Sequence, residues 1–171
     1  MANNLHRIDK NRYYFDEVSA KRATDFIETF CKHTKGELAG QKFVLEPWQV
    51  EIIQGIFGWK SKETKLRKFR QCFIFIPRKN GKTTMMVGIA LYMLFSDGEK
   101  GAEIVSAAAD KEQARLSFSI AKQMVLQEPN LIKRAGTFRD SITYDKVGSY
   151  YKVISADADT KHGLNLSCCL L

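Results

Sequence analysis

Residues 71–84, QCFIFIPRKNGKTT, leave a chain few folds to choose from. Cys72, Phe73, Ile74, Phe75 and Ile76 form a short apolar run rich in β-branched and aromatic residues, which predicts a strand covered on both faces. Pro77 stops it. After Arg78-Lys79-Asn80-Gly81 the pattern turns helical, from Lys82 through Met85, Met86, Ile89, Leu91 and Leu94. A strand that feeds a helix through a loop ending Gly-Lys-Thr-Thr is the arrangement of a phosphate-binding loop. In such a loop the amides at the helix N-terminus face the anion, the lysine brings a mobile positive charge, and the first hydroxyl can ligate Mg²⁺. The full pattern is G-x-x-x-x-G-K-[ST], and Ile76 stands where its first glycine belongs. The alternative is an ordinary strand-to-helix turn with Lys82 in solvent.

A length of 171 residues with 44% hydrophobic content gives one α/β domain a proper core and leaves little for a second. The 27 Lys and Arg outnumber the 19 Asp and Glu for a net charge of +8, which favours polyanionic partners such as nucleotide phosphates and nucleic acid. Cys31, Cys72, Cys168 and Cys169 have no C-x-x-C spacing, and three of them lie in apolar runs, so buried, reduced thiols are expected. His6, His33 and His162 are isolated from one another and from the cysteines, and are expected on the surface or in loops. No metal site of the His/Cys type is implied. The N-terminus MANNLHRIDKNRYYF lacks the apolar core of a signal peptide, and no apolar run approaches membrane-spanning length, so a soluble intracellular protein is expected.

In chain order, residues 1–18 read as polar and irregular, with Tyr13, Tyr14 and Phe15 as a docking point. Ala23, Phe26, Ile27, Phe30 and Cys31 then share one face of a helix running from Ala20 to about His33. A loop leads to Pro47, well placed to open a second helix with Trp48, Ile52, Ile53, Ile56 and Phe57. Residues 60–70, KSKETKLRKFR, carry six positive charges and one negative, and read either as a solvated connector or as a surface for DNA phosphates. Beyond the central loop, 102–108 reads as a strand, and Asp110 with Gln113 as a capping box for a long helix that stops before Pro129. Ser141–Tyr144 and Ser149–Ser155 read as a hairpin turning at 145–148, and a polar stretch, 157–165, leads to the apolar run 166–171. Strand, loop, helix, strand and helix in this order imply a parallel α/β sheet.

Three segments in order, LEPWQ, PRKNGKTT and VSAAADKEQAR, resemble the ATPase domain of phage terminase large subunits, over about Phe43 to Asn165. The resemblance implies an α/β fold with a parallel sheet, a P-loop NTPase of the additional-strand, catalytic-glutamate type, here incomplete and with N-terminal helices. It also implies an N-terminal helical extension over 1–40, a partial ATPase domain over 41–171, and no nuclease domain. In that family the ATPase drives viral DNA into a preformed capsid, and an RNase H-like nuclease follows it. The cofactors implied are ATP and Mg²⁺. The implied partners are double-stranded DNA, the terminase small subunit and the portal protein, with no membrane, in the cytoplasm of the bacterial host.

Carried over by residue, Lys82 would hold the β- and γ-phosphates and Thr83 the Mg²⁺, with Lys79, Asn80, Gly81 and Thr84 completing the nucleotide-binding loop. Arg78 matches the family's loop arginine, which acts on the γ-phosphate in cis, where a guanidinium stabilises developing charge. Solvent and DNA are the other places for Arg78 to point. Gln49 matches the adenine-recognising glutamine, since an amide both donates and accepts, whereas Trp48 beside it is expected in the core and Gln113 as a cap. Lys65, Arg67 and Lys68 are the candidates for DNA contact.

In such ATPases the next hydrophobic strand ends in Asp-Glu, the first organising Mg²⁺ and the second activating water. Here KHGLN resembles the approach to that strand and LSCCLL the strand itself, with no carboxylate after it. The expectation is an N-terminal piece of a terminase, whether a truncated gene, a frameshifted one or a trimmed chain, inactive alone, with Asp157 and Asp159 the nearest acids. Asn165-Leu166, where Asn-Pro is expected, hints at a disturbed frame. A nucleotide- or DNA-binding fragment without turnover and a decayed prophage remnant are the alternatives.

Overall fold

A computed structural model describes residues 8–77, 79–108, 111–155 and 163–171. The chain divides into two compact units, Met1–Asp25 with Leu45–Phe75, and Phe26–Val44 with Ile76–Leu171. Helix α1, Glu17–Phe30, begins in the first and ends in the second.

The first unit holds strand β1, Tyr13–Phe15, helix α2, Pro47–Gly58, and strand β2, Trp59–Ser61. Irregular structure was expected before residue 18, yet β1 pairs antiparallel with β2, Tyr13 opposite Ser61, Tyr14 opposite Lys60 and Phe15 opposite Trp59. Aromatic side chains suit a pleated surface, and the rings of Phe15 and Trp59 meet edge-on at 5.2 Å. At Gly58 any side chain would run into the ring of Phe15, so the chain turns from α2 into β2 on a glycine. The basic run 60–70 is not an extended connector. Ser61 N–H donates to the Leu66 carbonyl at 2.9 Å and Lys68 N–H to that of Trp59 at 2.8 Å, which folds the run back as a hairpin, with Lys60 bridged to Arg67. Asp16 caps α1, accepting from the Ser19 amide at 3.0 Å and the Ser19 hydroxyl at 2.8 Å. Lys60 Nζ lies 2.7 Å from the same carboxylate. The Lys60 hydrogen bond, then those from Ser19, hold the Asp16 carboxyl well below the usual carboxylate range.

The second unit is built on a five-stranded sheet ordered β4-β5-β6-β3-β7: β3 Glu103–Ala108, β4 Gly136–Thr137, β5 Ser141–Tyr144, β6 Ser149–Ser155 and β7 Leu166–Leu170. Strand β3 runs parallel to β6 and β7, but β5 runs antiparallel to its neighbours β4 and β6, so the sheet is mixed rather than parallel throughout. The reversal is the β5–β6 hairpin, closed by a 3-10 turn at Asp145–Val147 and by Gly148 at φ 70. Helices α3, Lys82–Phe95, and α4, Lys111–Gln127, pack against each other and against the sheet. The core gathers Met85, Leu91, Tyr92, Leu94, Ile104, Met124, Ile142 and Tyr151, and the hydroxyls of Ser106 and Tyr151 bond each other inside it. Gly88 of α3 lies close against Ile27 of α1, and Tyr92 meets Phe26 edge-on at 5.7 Å.

A short helix, α5, Pro129–Ile132, follows α4 where the sequence suggested only a stop. Glu128 caps it by accepting from the Asn130 amide at 3.2 Å, and Lys32 closes on Glu128 at 3.2 Å. Burial opposes ionisation of Glu128, yet the hydrogen bonds from Asn130 and Lys32 outweigh it and keep its pKa below the ordinary value.

Two further expectations need correction. Cys72–Ile76 forms no strand, and Phe73 and Phe75 are 91% and 88% exposed. A strand must hand its amides and carbonyls to neighbouring strands, and among the described residues none pairs with this run. All four cysteines are free, but only Cys31 is buried, its thiol pushed up to about 12 by desolvation, while Cys168 is half-buried and Cys72 and Cys169 are exposed. His33 is half-buried, edge-on to Phe43 at 5.2 Å. His6, His162, Asp110, Asp157 and Asp159 lie outside the described residues.

Candidate nucleotide-binding site

The loop before α3 turns on two left-handed residues, Lys79 at φ 70 and Gly81 at φ 69, on either side of Asn80. Asn80 Nδ2 donates back to the Pro77 carbonyl at 3.2 Å, which ties the entry of the loop to its tip. Gly81 is the N-cap of α3, and its carbonyl accepts from the Met85 amide at 3.0 Å. The amides of Lys82, Thr83 and Thr84 therefore precede the first intrahelical bond, and no described group accepts from them. Behind this first turn the helix is apolar on all sides and buried from Val87 to Leu94, which fixes where the loop opens.

Lys79, Asn80, Lys82 and Thr83 are exposed and Thr84 is half-buried. Lys82 makes no ion pair among the described residues. Free amides at the positive end of a helix, an exposed ammonium group and an exposed hydroxyl together suit a phosphate chain and, at Thr83, a hard cation such as Mg²⁺. Arg78 lies outside the described residues.

Gln49 belongs to the first unit. It is 2% exposed, and its Oε1 accepts from the Glu46 amide at 3.0 Å as one half of a capping box for α2. Its amide oxygen thus has a structural task that the sequence pattern did not assign to it. Trp48 beside it is half-buried, and Gln113 on α4 is exposed.

Of the candidate DNA contacts, Lys65 lies over the Tyr14 ring at 5.3 Å, and Lys68 has Tyr13 at 4.8 Å and Phe69 at 5.0 Å. Arg67 is different, with its guanidinium 5.5 Å from the centre of Phe57, a core ring. Beside them, Arg12 lies 5.9 Å from the centre of Tyr13, and the exposed Lys62 donates its amide to the Arg12 carbonyl at 2.9 Å.

Residues 47–171 match the family described as terminase large subunit, ATPase domain. The chain is 31% identical over 148 residues to the terminase large subunit of Enterobacteria phage HK97, covering 85% of this chain and 28% of that protein. The crystal structure of the HK97 bacteriophage large terminase is similar to it with a TM-score of 0.72 and 28% identity, over 88% of this chain and 30% of that one. The chain thus spans under a third of the length of these relatives.

Proposed function

The chain belongs to the terminase large-subunit ATPase family, and on that premise we propose that it is the ATP-binding part of a motor that couples ATP hydrolysis to the movement of viral DNA into a procapsid. The observation that carries this reading is the first turn of α3, where three amides with no acceptor among the described residues stand beside an exposed Lys82 and Thr83, ahead of a buried helix. Lys82 follows the β- and γ-phosphates, the loop residues 79–81 and Thr84 cradle them, and Arg78 acts on the γ-phosphate from the same loop. Mg²⁺, when bound, neutralises phosphate charge, and Thr83 is the residue of this chain that holds it. Gln49 reads adenine through its amide nitrogen, the oxygen being committed to the α2 cap. The ATPase domain begins near residue 41, after a helical extension. The partners are double-stranded DNA, the terminase small subunit and the portal, in the cytoplasm of the bacterial host; among the described residues no helix is long and apolar enough to cross a membrane.

Residues 1–171 bind nucleotide through the loop that leads into α3. The test is a titration with fluorescent ATP in Mg²⁺, read together with phosphate release. Lys82→Ala should weaken binding far more than Lys79→Ala, and equal losses would sink the assignment. Gln49→Glu keeps the capping oxygen and removes the amide donors, so it should erode the preference for ATP over GTP while triphosphate binding survives.

A further inference from the structure

The hairpin in the first unit concentrates cations in an unusual way. Strand β1, strand β2 and the returning segment 66–68 make a three-stranded ribbon, pinned by the β1–β2 ladder and by the Lys60–Arg67 bridge. Two of its basic groups are committed inward, Lys60 to Asp16 and Arg67 to the Phe57 ring. The others are not. Arg12, Lys62, Lys65 and Lys68 make no ion pair among the described residues, and three of them are held over the tyrosines of β1. A solvated connector has no reason to hold its charges this way. Ring contacts at exposed sites limit the freedom of flexible side chains, while crowding like charges on so small a ribbon is unfavourable without a polyanion. Glu63, at the turn, is the one acidic residue within 60–70.

We propose that this ribbon is a surface for the phosphate backbone of duplex DNA, with Arg12, Lys62, Lys65 and Lys68 as the contacts and Tyr13 and Tyr14 as the groups that preset them. The contacts are to phosphates, so the surface is indifferent to sequence, as a chain that moves along DNA requires. The choice of DNA among polyanions rests on the packaging reading above; the placement of the charges does not.

The test uses residues 1–171 and short blunt duplexes of two unrelated sequences, with affinity measured by fluorescence anisotropy over a range of salt. The triple variant Lys62→Gln, Lys65→Gln, Lys68→Gln should bind both duplexes more weakly and flatten the plot of log affinity against log salt by about 0.9 for each phosphate left unneutralised. A control removing the same charge from the second unit, at the exposed Lys35, Lys133 and Arg134, should leave the slope nearly unchanged. The double variant at the exposed Lys62 and Lys65 repeats the measurement without disturbing Lys68 between its two rings. Equal slopes for ribbon and control variants would overturn the proposal. So would displacement of the duplex by polyglutamate at equal charge, which points to an acidic protein instead. Fluorescent ATP binding, followed in the same samples, separates the two readings. Equal slopes for ribbon and control variants with ATP binding retained condemn the ribbon alone, and absence of ATP binding with the ribbon effect intact condemns the nucleotide assignment alone.

Discussion

The two runs that flank the loop before α3 are similarly apolar in sequence and opposite in structure. After the loop, α3 is buried from Val87 to Leu94; before it, Cys72–Ile76 is irregular with Phe73 and Phe75 almost fully exposed. The difference lies in who satisfies the backbone. A helix bonds its own amides and carbonyls, so it needs only a surface on which to bury its side chains, whereas a strand must find both a surface and hydrogen-bonding neighbours. Apolar composition reports what a segment can bury. It does not report whether a partner strand is beside it.

That contrast can be broken most sharply at Leu91, which is fully buried in α3. Leu91→Ala should cost about 2–5 kcal/mol in denaturant unfolding, a large share of the stability of any single domain. If Phe73→Ser cost as much, the two flanks would not differ in this way. A helix is self-sufficient except in its first turn, and Asp16 measures that exception. Asp16→Ala should destabilise by about 1–2 kcal/mol through loss of the cap. The Asp16 pKa is lowered in the folded state, chiefly by Lys60. Its contribution is therefore complete above the ordinary carboxylate value of about 3.9 and is lost as pH falls toward the folded value. The difference between wild type and Asp16→Ala should accordingly shrink on acidification below about pH 4; a constant difference would exclude the ionised cap. The smallest change is expected at Phe73 itself. Phe73→Ser should shift stability by no more than about 0.5 kcal/mol, and light scattering should show less self-association, because CFIFI is an uncharged, β-prone segment.

Much of this was legible in the residues, for a consistent reason. Helices α1, α2, α3 and α4 carry their own periodicity, and Pro47 and Gly81 mark two of the starts. The β5–β6 hairpin is local, so alternation and a turn sufficed to find both strands with their observed bounds. What escaped depended on distant partners. Tyr13–Phe15 is a strand only because Trp59–Ser61 pairs with it, and β4 is two residues long and recognisable only by its ladder to β5. Pro129 was read as a stop, although a proline at the first helical position also starts a helix, as it does in α5. At the candidate site, the start of α3 at Lys82 was legible from Gly-Lys-Thr, while the capping task of Gln49 became visible only with the Glu46 amide in place.

The register of β3 also sets an order of assembly. Its two ladders join it to β6 and β7, both far along the chain, with Glu103 opposite Tyr150 on one side and opposite Leu166 on the other. Loops of that length are closed before their contacts repay the lost entropy, so such pairings form late, after the short β5–β6 hairpin has supplied an edge. On a chain made from its N-terminus, β3 emerges first among these strands and waits longest for its neighbours. Strand β3 therefore waits with both edges open until β6 is made, and only the arrival of residues 166–170 closes the second.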